Sequence, residues 1–276
     1  MIPFWFIFPA ITAVTFLAVY LALYSVSFAR FIPVMYLSAA GVGLAFWFFF
    51  DTMGDAGALQ ENNALYPPYL FGGVPHLALI GAFVIGVFVL GVFDHFAVPA
   101  ENGAGSAKPF LIPMALAIVM GIHGLGEGWG AVSGVSGGTA TTLTGLAALV
   151  QAYGTFPAVV SYPIHKFLEA AIVGAAYVAF VLRPNGWKAK RLELPVLGLC
   201  FAGPSAVGAA VGYFVSFDTT YFYAFGVTAA LYAAMRLGEA LSHGSAEGWT
   251  PSRYGLKTFS ALLIGFLLLY TAALLH

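Results

Sequence analysis

Charge is what this chain has least of. Asp, Glu, Lys and Arg make up 8% of its 276 residues, against 61% hydrophobic residues and a mean hydropathy of +0.92. A soluble domain carries about a quarter charged residues, so most of this chain expects lipid rather than water around it. The formal net charge of -1 lacks the basic footprint of a nucleic-acid binder, and no nucleic acid is expected as a partner. Cysteine is reduced to Cys200 alone, which excludes an intramolecular disulfide and any cysteine-cluster metal site. The first apolar run has no basic residue ahead of it and extends over about 25 residues, too long for a cleaved signal. It reads as a retained first span.

A membrane span needs roughly 20 mostly apolar residues. Eight are predicted, near residues 3–28, 31–50, 74–93, 109–135, 155–182, 194–217, 221–242 and 257–275. The expected fold class is an all-α polytopic membrane protein, with residues 1–276 forming a single transmembrane domain. Lys and Arg collect in cytoplasmic loops. With the N-terminus outside, the inner loops hold Arg30, Lys108, Arg183, Lys188, Lys190, Arg191, Arg253 and Lys257, and the outer loops and termini hold no Lys or Arg. The two remaining cations, Lys166 and Arg236, fall inside spans. This bias puts both termini outside. Residues 139–153 are apolar but too short to cross, and a crossing there would move the basic 183–191 loop outside. A short helix at the outer surface, or one folded back into the protein, is expected instead. Outer loops carry Asp55, Glu61 and Asp218, and Asp51 ends the second span. Acids without bases raise the local cation concentration at an entrance.

Against this apolar background a few ionisable residues fall in mid-span: His123 and Glu127 in span four, His165, Lys166 and Glu169 in span five, Arg236 and Glu239 in span seven. Each costs on the order of 3 kcal/mol at a helix centre, which marks function by default. Positions i and i+4 share a helix face, so His123 with Glu127, and His165 with Glu169, form two vertical pairs. On antiparallel spans they would converge. A lone pair of this kind is as readily a structural hydrogen bond between helices; two matched pairs on consecutive spans favour a site. Neutral imidazole and carboxylate are ligands of zinc, iron, manganese and related divalent ions. Gly121, Gly124, Gly126, Gly128 and Gly130 strip side chains from span four and allow close helix approach. Pro163 frees the carbonyl of Val159, one turn from the pairs. Arg236 and Glu239 are expected to form a local ion pair, and Asp94 and His95 a solvated helix end.

HGLGEG in span four and HKFLEA in span five resemble the paired motifs of the ZIP family of zinc and iron permeases. Similarity extends to YLSAAGVGLAFWFF, GPSAVGAAVGYF and FGVTAALYAAMRLGEAL. The resemblance implies a ZIP-like eight-helix bundle in the plasma membrane, a homodimer as partner state, and divalent metal uptake toward the cytoplasm. It carries His123, Glu127, His165 and Glu169 over to the family's primary metal site. The chain departs from the pattern at Gly124, where the family often has Asn, at Leu168 for the proline before the span-five Glu, and at Gly203 for an acidic ligand. Lys166 stands where other members place a second-site ligand, so the expected site holds one metal, with Lys166 as a built-in cation in place of the second. The His-rich loop frequent between spans three and four is absent.

The expected function is therefore transport of a divalent metal, zinc first, with iron, manganese, cadmium or cobalt as alternatives. The metal is cargo, and neither an organic cofactor nor enzymatic activity is expected. An intramembrane zinc hydrolase is the alternative reading, weakened because the glutamates are committed as ligands and no HExxH motif is present. A proton-coupled permease for an organic solute would use the same His and Glu as proton carriers. For a metal site the sign of the pH effect is fixed. Binding requires neutral His and ionised Glu, so protons compete and acid weakens binding. Uptake is expected to fall from pH 7 to pH 5 at matched membrane potential; a flat profile contradicts metal ligation by these groups.

Overall fold

The computed structural model describes residues 2–57, 74–97, 108–133, 144–215, 217–243 and 255–274. They form helices throughout: α1 (Phe4–Ser27), α2 (Val34–Gly57), α3 (Val74–Ala97), α4 (Leu111–Val132), a short α5 (Gly145–Tyr153), α6 (Phe156–Tyr177), α7 (Glu193–Gly212), α8 (Thr220–His243) and α9 (Leu256–Ala273). A looser π-helical turn, Val178–Leu182, prolongs α6. Lipid offers backbone groups no hydrogen bonds, so apolar segments satisfy their own as helices.

Seven of these helices are long and apolar enough to cross a membrane: Phe4–Phe31, Val34–Ala56, Leu77–Ala97, Leu111–Val132, Phe156–Leu182, Glu193–Gly212 and Leu256–Ala273. Among the described residues the regular structure is all helical, and the chain is a multi-pass membrane protein. Helix α8 matches α1 in length, but Arg236, Glu239 and several hydroxyl side chains make it more polar. The short helix expected within residues 139–153 is α5; the part of that stretch before Thr144 lies outside the described residues. Ala148 of α5 packs with Ile2, Ile7, Ile11, Val132 and Ala209.

Packing places α4 and α6 at the centre, where two-thirds or more of their spanning windows are buried. Helix α4 packs most extensively on α7, and α2 on both α8 and α9. Glycines permit the α4–α7 contact. A Cβ at Gly121 or Gly128 would strike backbone carbonyls of α7, and one at Gly208 would strike the backbone of α4. Gly126 instead faces Phe222 of α8, and Gly130 meets only Thr219. The glycine stripe thus seats α4 against α7 and α8, and thereby fixes where His123 and Glu127 point.

Helix ends follow local chemistry. Thr155 caps α6 by accepting from the Ala158 amide at 3.2 Å, and Pro157 sits in the first turn, where a missing amide costs nothing. Helix α2 runs further than the predicted span 31–50 and includes both Asp51 and Asp55. Asp55 is therefore a helix residue and not part of a loop. Both carboxylates face a polar cavity shared with α4 and α6, which lets the helix continue.

Candidate metal centre

His123, Glu127 and Glu169 each offer a ligand atom, and these atoms lie within 4.8 Å of one another. His123 and Glu127 come from α4, one turn apart, with His123 Nε2 3.6 Å from Glu127 Oε1. Glu169 comes from α6 and is fully buried. Spans four and five thus bring three of the four expected ligands to one point. The fourth, His165, stands beside them: its Nε2 is 2.9 Å from Glu169 Oε1 and 3.7 Å from Asp51 Oδ2 of α2. His165 links the cluster to the acids of α2.

Among the described residues Lys166 is the largest charged side chain wholly inside the protein. Its Nζ donates to Glu127 Oε2 and, at 2.7 Å, to Glu169 Oε2. One ammonium therefore bridges the carboxylates of two helices, and the ring of Phe201 on α7 lies 5.9 Å from it. A buried carboxylate without a partner is strongly unfavourable. Lys166 supplies that partner while leaving each Oε1 on the side of the histidines.

The His123 ring is oriented by shape. Phe48 and Tyr223 meet it edge-on at 5.2 Å each, and a Cβ on Gly226 would come within 3.0 Å of its Nδ1. Among the described residues that Nδ1 has no hydrogen-bond partner. Metal-ligating histidines usually donate their second nitrogen to an acceptor. Here packing from α2 and α8 holds the ring instead, with Nε2 toward Glu127.

A cavity of about 310 Å³ opens on this cluster, lined by Asp51, Asp55, His123, Glu127, His165 and Tyr223 among others. Two of the expected entrance acids, Asp51 and Asp55, thus belong to the same cavity as the His and Glu pairs. Asp218 does not. Its Oδ1 accepts from the Thr220 amide at 3.0 Å, at the first residue of α8. Glu61 lies outside the described residues.

Asp94 differs from its sequence expectation. Rather than a solvated end of α3, it accepts from Arg236 Nε and from the Tyr232 hydroxyl, both at 2.7 Å. Arg236 also pairs with Glu239, as its spacing predicted. The guanidinium fork has donors enough for both acids, and so ties α3 to α8. Tyr223 and Gly226 carried no sequence signal. Asp51 and Asp55 did, because they repeat the four-residue spacing of the His–Glu pairs.

No family model matches the chain, and no curated protein matches it in sequence.

Proposed function

We propose that this protein moves divalent metal ions across the membrane toward the cytoplasm, as a ZIP-like permease with eight spans and both termini outside. The observation that carries the proposal is the convergence of His123, Glu127 and Glu169 in the buried middle of two spans. The donor set suits zinc, with iron, manganese, cadmium or cobalt as alternatives. His165 completes the ligand set from the vestibule side, and Asp51 and Asp55 concentrate cations there. Lys166 keeps the site mononuclear by occupying, as a fixed cation, the outer oxygens of both glutamates.

The topology draws support from which helix ends meet. The start of α1 lies against the end of α7, through Phe4 and Tyr213. Trp129 at the end of α4 donates to the Val215 carbonyl. The ends of α3 and α8 join through Asp94 and Arg236. Each is a pairing that the charge bias assigns to a single side. The same proposal sets the chain in the plasma membrane, surrounded by lipid and paired with a second copy, as the resemblance implies.

Calorimetric titration of the purified full chain with zinc tests the site apart from movement. One ion per chain is expected, and Glu169→Ala should weaken it by more than about a hundredfold, since even outer-shell substitutions cost ten- to a hundredfold. Undiminished binding in that variant would contradict ligation by this cluster.

A further inference from the structure

At the opposite end of α4 and α6 from the acid-lined vestibule lies a basic cavity of about 820 Å³, with Lys108, Lys188 and Lys190 on its wall and Phe110, Leu111 and Val181 as its apolar floor. An adjoining cavity of about 380 Å³ shares Phe110, Lys190 and Glu193 with it and continues along Leu192 and Val196. Both lie where three spanning segments end, at Leu111, Leu182 and Glu193. That is the level of lipid headgroups.

The charge balance is one-sided. Lys108 and Lys188 have no carboxylate partner among the described residues, and Lys190 Nζ is 4.0 Å from Glu193. Among the described residues Glu193 is the sole acid on either wall. Its Oε2 is already engaged by the Tyr177 hydroxyl at 2.8 Å and the Lys190 amide at 3.1 Å. The turn that presents Lys188 and Lys190 is fixed. Gly186 and Trp187 both have positive φ, 62° and 64°, and the Trp187 amide donates to the Leu182 carbonyl at 2.7 Å. A non-glycine residue holds that conformation only when its surroundings determine it, and Trp187 packs against the main core.

We infer that these two cavities form a binding site for an anionic phospholipid, with its phosphate among Lys108, Lys188 and Lys190 and an acyl chain along Phe110, Leu192 and Val196. Basic pockets between spans on the cytoplasmic side recognise anionic headgroups, and a cationic pocket continuous with an apolar groove matches an amphiphile better than a soluble anion. The site stands apart from the metal cluster and does not depend on transport.

The test is native mass spectrometry of the purified full chain with dioleoyl phosphatidylglycerol or dioleoyl phosphatidylcholine. Preferential retention of phosphatidylglycerol is expected. Lys108→Ala with Lys188→Ala should reduce it roughly thirtyfold, since each basic residue near an anionic surface contributes about fivefold. Both lysines are exposed, so the double variant should fold, and an unchanged thermal unfolding curve checks that. Glu193→Gln should increase retention by removing the one opposing charge. Equal retention of the two lipids, or no change in the double variant, overturns the inference. Displacement of the lipid by glycerol 1-phosphate as readily as by phosphatidylglycerol would reassign the pocket to a soluble phosphate and also overturn it.

Discussion

Lys166→Met is expected to cost the metal-free protein about 3–5 kcal/mol, because removing one partner of a buried ionic group leaves the others uncompensated. Lys166 is completely buried and is the bridging cation for Glu127 and Glu169. Methionine fills a similar volume, so the loss is of charge and hydrogen bonds rather than packing. Two carboxylates then face one another across α4 and α6 with no ammonium between them. A divalent ion can take its place. The variant should therefore bind two ions per chain where one is expected for the native protein. Zinc should also stabilise it more, since a ligand at a hundred times its dissociation constant contributes about 2.7 kcal/mol. Thermal unfolding with chelator and with zinc, together with a binding titration, measures both effects. An unaltered unfolding temperature in chelator and a stoichiometry still at one would refute the role given to Lys166.

Gly128→Leu should abolish the folded protein or destabilise it by more than about 3 kcal/mol, beyond ordinary overpacking. A Cβ there would collide with the Ser205 carbonyl of α7, backbone against backbone. Neither helix can yield without separating α4 from α7, the most extensive helix pair in the bundle. Gly130→Leu is the internal control: two residues further along the same stripe, its Cβ meets only the Thr219 side chain at 3.6 Å. Folded yield and unfolding temperature should fall sharply for the first and little for the second. Equal tolerance would mean that the glycine stripe does not set the α4–α7 distance.

Much of this architecture is legible in the sequence because scarcity of charge is itself a signal. Where Lys, Arg, Asp and Glu drop out for about 20 residues, only a helix can satisfy the backbone in lipid, and α1, α3 and α9 follow directly. The twin His-x-x-x-Glu spacing made α4 and α6 carriers of a cluster, and the helices do bring His123, Glu127 and Glu169 together. Long-range partners are another matter. Asp94 and Arg236 are 142 residues apart, and no local pattern distinguishes an acid that pairs from one that meets water. Glycine spacing announced close approach but not to which helix, and the answer was α7 and α8 rather than α6. The end of α2 was misplaced because Asp51 read as the end of the span and Asp55 as a loop charge. Their four-residue spacing fits a helix whose acidic face is turned to a cavity.

The central claim is that the α4–α6 cluster is the passage for metal. It is tested most directly by zinc uptake into proteoliposomes holding wild-type protein or His123→Ala with Glu169→Ala. One ligand is lost from each helix, and both side chains are buried at the cluster. The expected result is uptake by the wild type and none above empty liposomes in a folded double variant. Equal uptake by both proteins, or a wild type that binds zinc yet moves none, would contradict the account.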